Sequence, residues 1–212
     1  MNCFFKAQQL DHKIIENKRI LLVGAGGLGS QTLIFLKRIG FKKIIIMDRE
    51  LLEKNNLDRQ FLLEKNSVGK SKSMEAGKKT GFKSIFEEFN EANFKKIDKI
   101  KPEVILDCTD NYETRKTIND YCKQNKIPWI FTSCIRNEGM CCLVKPWKNN
   151  SFKKFALKKE VESCTIEGVS FLALNVAASM QVQQLINLLQ KKEDFDLTYF
   201  NLKNNYFTKI KV

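Results

Sequence analysis

A doubly wound α/β fold, with a mainly parallel sheet and antiparallel strands toward the C-terminus, is what this sequence predicts from three observations. The short apolar run Arg19–Val23 ends in the glycine-rich stretch Gly24–Gly29. Helical spacing follows over Leu28–Ile39, with Leu28, Leu33, Phe35, Leu36 and Ile39 apolar. A second apolar run, Ile44–Met47, closes on Asp48. Strand, glycine turn, helix and strand in that order form the opening unit of such a sheet.

The remaining elements follow in chain order. Lys70–Thr80 has helical spacing, Lys83–Phe89 reads as a strand, and Glu103–Asp107 and Pro128–Thr132 read as two more parallel strands. A helix over about 113–126 connects those two. Met140–Val144 reads as a further strand. Lys145–Lys159 then carries six lysines and no acid with little periodicity, which predicts a basic crossover loop over about 145–163. The apolar stretch Gly168–Leu189 is long enough to invite a membrane-spanning reading. Asn175, Gln181, Gln183, Gln184 and Asn187 interrupt it, so a buried helix is expected and no membrane association. Leu197–Leu202 and Tyr206–Ile210 flank Lys203-Asn204-Asn205 as a hairpin. With no internal repeat and no second core, residues 1–212 are expected to form one domain.

Composition narrows the chemistry. The 212 residues hold 37 Lys+Arg against 24 Asp+Glu, a formal charge of +13, which favours an acidic partner. The one histidine, His12, leaves no material for a His-rich metal site or a Ser-His-Asp triad, and it reads as a surface residue. Seven cysteines include no C-x-x-C pair, so neither a four-cysteine zinc site nor a thioredoxin-type redox pair is supported. The first thirteen residues lack an apolar core behind a basic start; no secretory segment is expected, and reduced thiols in a cytoplasm are.

Gly24-Ala25-Gly26-Gly27-Leu28-Gly29 fits G-x-G-x-x-G and lies between a strand and a helix, where backbone N–H groups can approach a phosphate. Asp48, at the end of the next strand, is placed to accept bonds from ribose hydroxyls. A tight turn beside an ordinary surface acid is the plainer alternative. The loop alone does not choose between a dinucleotide and ATP. The stretch that begins eight residues after Asp48 does: Asn56-Leu57-Asp58-Arg59-Gln60-Phe61, then Val68-Gly69-Lys70-Ser71-Lys72. Guanidinium and ammonium groups neutralise β- and γ-phosphate oxygens and an amide orients them, a set for which a dehydrogenase has no use. Asp107-Cys108-Thr109-Asp110-Asn111 sits at the C-terminal end of a strand, where Asp110 is placed to hold Mg²⁺ together with phosphate oxygens.

On Gly24–Gly29, Asp48, Asn56-Leu57-x-Arg59-Gln60, Lys72 and Asp107–Asn111, the chain resembles the ThiF/MoeB/HesA family, the Rossmann-like adenylation domain of ubiquitin-activating-enzyme-like proteins. Ile135-Arg136-x-Glu138-Gly139 and Cys164-x-x-x-Gly168-Val169 extend the resemblance, which runs from about residue 19 to the end. It implies ATP-dependent adenylation of the C-terminal glycine of a small β-grasp carrier protein ending in Gly-Gly. It further implies ribose contact by Asp48, phosphate contact by Gly24, Gly26, Gly27, Gly29, Asn56, Arg59, Gln60 and Lys72, and Mg²⁺ at Asp110. A homodimer is implied as well. Cys164 aligns with the crossover cysteine that forms a thiol intermediate in some relatives; a loop cysteine without chemistry is the alternative.

The chain departs from the family in two places. The arginine that many relatives send from the N-terminus into a partner's ATP is missing from Phe4-Phe5-Lys6-Ala7-Gln8, leaving Lys6 or Lys13 as substitutes without a bidentate fork. The zinc-binding C-x-x-C pairs of bacterial-type relatives are also missing, so no structural zinc is expected. No rhodanese-like or ubiquitin-fold segment is expected in addition to this domain, and later transfer steps are expected in other proteins. Cys108, Cys134, Cys141 and Cys142 read as core thiols. Two alternatives stand beside the carrier reading: a tRNA-modifying dehydratase of the same family acting on a modified adenosine's carboxylate, and a partner subunit of a heterodimeric activating enzyme. The unpatterned lysines argue against the first, and the intact Arg59, Lys72 and Asp110 against the second.

Overall fold

A computed structural model describes residues 12–148, 152 and 168–212. Its strands form one eight-stranded sheet in the order β3-β2-β1-β4-β5-β6-β7-β8. They are β1 Ile20–Val23, β2 Ile44–Met47, β3 Lys83–Ile85, β4 Val104–Asp107, β5 Trp129–Ile135, β6 Glu138–Val144, β7 Leu197–Asn201 and β8 Tyr206–Ile210. The first five pair in parallel, and β5 to β8 pair antiparallel. The helices are α1 His12–Asn17, α2 Gly27–Ile39, α3 Lys72–Thr80, α4 Phe94–Ile100, α5 Tyr112–Asn125 and α6 Phe171–Leu189.

The central parallel strands β1, β2 and β4 are almost wholly apolar because both faces of the sheet are covered there, while β3 and β8 carry polar residues and are partly or largely exposed. Successive side chains point to opposite faces. Ile20 and Leu22 accordingly join Leu33 and Leu36 of α2 and Ala177, Val182 and Leu185 of α6 in one core. Leu21 and Val23 join Ile97 of α4 and Ile118 and Tyr121 of α5 in the other. The second core also takes Phe152, whose ring lies 5.6 Å from Trp129 and 5.7 Å from Phe131. That ring fastens one point of the basic crossover into the protein; residues 149–151 and 153–167 lie outside the described residues.

Helix boundaries follow local chemistry. Gly40 takes φ 106° and donates to Leu36 O, ending α2. Ser71 Oγ accepts from Met74 N to open α3, and Asn111 Oδ1 accepts from Thr114 N at 2.8 Å to open α5. Gly26 opens α2 with no side-chain cap, so its first amides remain available.

The expected elements are present with altered lengths. The strand expected over Lys83–Phe89 ends at Ile85. The one expected over Pro128–Thr132 continues to Ile135, because its far half pairs with β6 in a seven-residue antiparallel register from Trp129↔Val144 to Ile135↔Glu138. The hairpin tip lies on the segment before α6: Arg136 N donates to Gly168 O and Ser170 N donates to Arg136 O. The apolar stretch ending at Leu189 is a helix from Phe171, and no described helix is long and apolar enough to cross a membrane. The short helices α1 and α4 were not anticipated, being too brief to show a full apolar period.

Candidate functional site

The order 3-2-1-4-5 places a switch point between β1 and β4: the chain leaves β1 for α2 on one face and β4 for α5 on the other. Parallel sheets gather ligands in the crevice this opens at the strands' C-terminal ends. A cavity of about 400 Å³ lies there, ample for a nucleotide. Of the residues singled out from the sequence, Gly24, Gly26, Gly27, Asp48, Asn56, Arg59, Gln60, Lys72 and Asp110 line it.

The glycine loop is built to a tolerance that forbids side chains. Gly24 has φ +94°, and a Cβ there would lie 2.6 Å from the Cys108 carbonyl oxygen. Gly29 does not line the cavity but lies behind it, where a Cβ would lie 2.0 Å from Gly24 O. Its absent side chain lets α2 start directly beneath the loop. Asp48 braces the same loop: Oδ2 accepts from Ala25 N and Oδ1 from Glu50 N, both at 2.6 Å. Burial pushes its carboxyl above the usual range, while those two amides and the Lys72 ammonium pull it back.

The cationic wall is assembled from a loop and a helix start. A 3₁₀ turn, Lys54–Asn56, buries Asn56 and Gln60 and turns Arg59 toward the cavity. Arg59 Nη1 bonds Asn55 O at 3.0 Å and Asp58 Oδ1 at 2.9 Å. Lys72, the first residue of α3, is 5% exposed, and its Nζ bonds Glu50 Oε2 at 2.5 Å. Its backbone N–H donates to Glu50 O, and Ser73 Oγ donates to Asp48 O, stitching α3 to the segment after β2. Glu50 therefore stands where an anionic oxygen satisfies Lys72.

The opposite wall is the β4–α5 loop. Asp107 is fully buried and paired with Arg115, while Asp110 is exposed at the cavity's edge. Burial pushes the Asp107 carboxyl up, opposed by the Arg115 guanidinium and the two Thr109 donors. Gln181 Nε2 donates to Asp107 O at 2.7 Å, and its Oε1 accepts from Thr32 Oγ1 at 2.9 Å and from Cys108 Sγ at 3.3 Å. One amide on α6 thereby joins α2 to the end of β4.

Glu50, Arg115 and Gln181 had no role assigned from the sequence. Gln181 had a visible signal, a polar residue inside an apolar helix. Arg115 had none, since a lysine- and arginine-rich helix reads as a solvated face. Cys108, Cys134, Cys141 and Cys142 are buried as expected, and Cys122 is buried too. Burial pushes the Cys141 thiol up to about 12 and the Cys108 thiol higher still, so neither is a thiolate nucleophile. Cys164, Cys3 and Lys6 lie outside the described residues, and Lys13 is exposed on α1 away from the cavity lining. His12 is exposed beside Glu16.

A nucleotide fits this donor set. The first amides of α2 are uncapped, and Arg59 and Lys72 line the cavity as donors. The unpartnered buried Gln60 Oε1 is an acceptor open to a hydroxyl or amino group. Among the described residues no group of three His, Cys, Asp or Glu side chains converges on a metal position. A single carboxylate at Asp110 suits a hard cation carried mainly by phosphate oxygens and water.

Fold and cavity together define a doubly wound α/β protein with a crevice at its switch point. Within that class the chain belongs to the ThiF family, whose model matches residues 4–212. A probable molybdopterin-synthase adenylyltransferase of Porphyra purpurea is 31% identical over 188 residues, 82% of this chain and 49% of that protein. Ubiquitin-like modifier-activating enzyme 5 of Drosophila mojavensis is 27% identical over 230 residues, 94% of this chain and 57% of that one. The chain thus spans about half the length of the curated relatives it matches. Escherichia coli MccB, solved with ATP, shares the fold at a TM-score of 0.77 and 20% identity, covering 94% of this chain and 65% of its own.

Proposed function

We propose that this chain uses ATP to adenylate the C-terminal glycine of a ubiquitin-like or sulfur-carrier protein, releasing pyrophosphate. The observation that carries the reading is the convergence of the uncapped glycine loop, Asp48, Arg59, Lys72 and Asp110 on one cavity in a ThiF-family chain. Asp48 would receive the ribose hydroxyls, and the α2 amides, Asn56, Gln60, Arg59 and Lys72 the phosphates. Lys72 then exchanges the Glu50 carboxylate for a phosphate oxygen, so a cation buried in the resting protein is never left unpaired. Mg²⁺ at Asp110 would add charge neutralisation at the pyrophosphate.

No general base is required. A chain-terminal carboxylate has a pKa near ~3.5 and attacks the α-phosphorus already ionised. The protein's contribution reduces to alignment and to neutralising the leaving group. Residues 1–212 act as one domain in this reading, as a homodimer. The odd number of cysteines, seven, supports a cytoplasmic setting. Thiol transfer through Cys164 rests on the resemblance alone. Purified protein is expected to hold no stoichiometric zinc, which elemental analysis checks.

ATP–pyrophosphate exchange tests the proposal, with candidate Gly-Gly carriers of the same genome and tRNA assayed in parallel. Exchange stimulated by a carrier is the expected result. Stimulation by tRNA alone overturns it in favour of the dehydratase reading.

A further inference from the structure

Asp110 stands between two residues that the protein pins in place. On one side, Thr109 donates to Asp107 Oδ1 from its N–H at 2.9 Å and from its hydroxyl at 2.6 Å. On the other, Asn111 Oδ1 caps α5 by accepting from Thr114 N at 2.8 Å. Arg115 closes the arrangement. Its Nε donates to Asp107 Oδ2 at 3.1 Å, and its Nη2 donates to Thr109 O at 2.5 Å and to Thr132 O at 3.3 Å. The guanidinium carbon also lies 5.1 Å from the centroid of the Phe131 ring. One planar cation thus ties together the end of β4, the loop after it and the middle of β5.

The side chain of Arg115 is 7% exposed and that of Asp107 is 0%. Although Arg115 borders the cavity, its Nε and Nη2 donate to protein acceptors, and its charge is matched by Asp107. Asp110 is left as the loop's outward-facing carboxylate. A lysine at 115 would keep the charge and lose the planar fork that reaches three acceptors at once.

We infer that Arg115 is a positioning residue: through Asp107 and Thr109 it sets the direction in which Asp110 presents its carboxylate to the cation–nucleotide complex. The inference rests on the adenylation reading and is tested apart from it. The probe is Mn²⁺ with ATP, followed by electron paramagnetic resonance, alongside calorimetric titration of ATP without a divalent cation. The proteins are the wild type, Arg115→Lys, Asp110→Asn and the double variant. Arg115→Lys is expected to weaken Mn²⁺ binding in the presence of ATP by about tenfold, the scale at which outer partners of a metal ligand act. Cation-free ATP affinity stays within about twofold, and the double variant falls within about twofold of Asp110→Asn, because residues acting through one another are not additive. Thr109→Val, which removes the hydroxyl donor and keeps the shape, shifts Mn²⁺ binding the same way by a smaller factor and serves if Arg115→Lys does not fold. Additive losses in the double variant, an equal loss of cation-free ATP affinity, or unchanged Mn²⁺ binding overturns the inference while leaving adenylation intact. A wild type that binds ATP under neither condition overturns the adenylation reading, and the inference falls with it.

Discussion

Lys72 and Arg59 approach the cavity from different elements and are each held by an acid, Glu50 and Asp58. Preorganised cations of this kind are worth most where charge develops during reaction. Arg59→Ala or Lys72→Ala is therefore expected to lower ATP–pyrophosphate exchange by about 10²–10³-fold; near-normal exchange in either variant would remove that residue from the site. Gly29 makes a different demand. The 2.0 Å approach of a Cβ to Gly24 O leaves no rotamer to relax, so Gly29→Ala must push α2 off the loop. A loss of about 3 kcal/mol in urea unfolding is expected, together with loss of ATP binding. A variant that melts and binds like the wild type would show that the loop is looser than its geometry.

At the scale of elements, α6 does more than cover the sheet. Its small residues Ala173, Ala177 and Ala178 bring it close to α2, and that approach places Gln181 within reach of Thr32, Cys108 and the Asp107 carbonyl. Gln181→Leu leaves buried polar groups unmet on two neighbouring elements. A cost of about 1–3 kcal/mol in chemical unfolding is expected, with the cavity loosened at the end of β4. A midpoint shift below the error of the melt would mean that water replaces the amide. The β5–β6 hairpin belongs to this scale as well. A strand that pairs in parallel over Trp129 and Ile130 and antiparallel over its whole length converts the sheet from one regime to the other. Its tip then meets the entrance to α6 through Arg136 and Gly168.

For the whole molecule, the charge of +13 is spread unevenly in its consequences. Lys72 pairs with Glu50 and Lys145 with Glu193, and such pairs cancel within the net charge, so the surplus lies on other cations. That surplus is a field that favours an acidic partner at a distance. Association with an acidic carrier is expected to slow as ionic strength rises, with the dissociation rate changing less, in stopped-flow mixing across a salt series. A rate indifferent to salt would assign the surplus to composition alone.

How much was legible in the sequence follows from the range of the forces involved. The glycine loop, the apolar strands and Asp48 are local: φ > 0, a continuous apolar run and a strand end each leave a mark within a few residues. The motif around Asn56–Gln60 and Lys72 was legible as polar and cationic residue types grouped after a strand, and Asn56, Arg59, Gln60 and Lys72 all line the cavity. The length of β5 was not, since Ser133–Ile135 become strand only through pairing with β6. Nor was Arg115, whose neighbours in space are Asp107, eight residues back, and Thr132, seventeen ahead. By itself, then, the sequence determined the fold class and the chemical types that line the cavity, while the switch point follows from the strand order. Only the tertiary structure decided that Gly29 lies behind the cavity against Gly24, that Glu50 holds Lys72, and that Arg115 and Gln181 brace the loop carrying Asp110. The reason is physical: buried polar groups must find partners, and those partners are chosen by packing across the sheet and not by spacing along the chain.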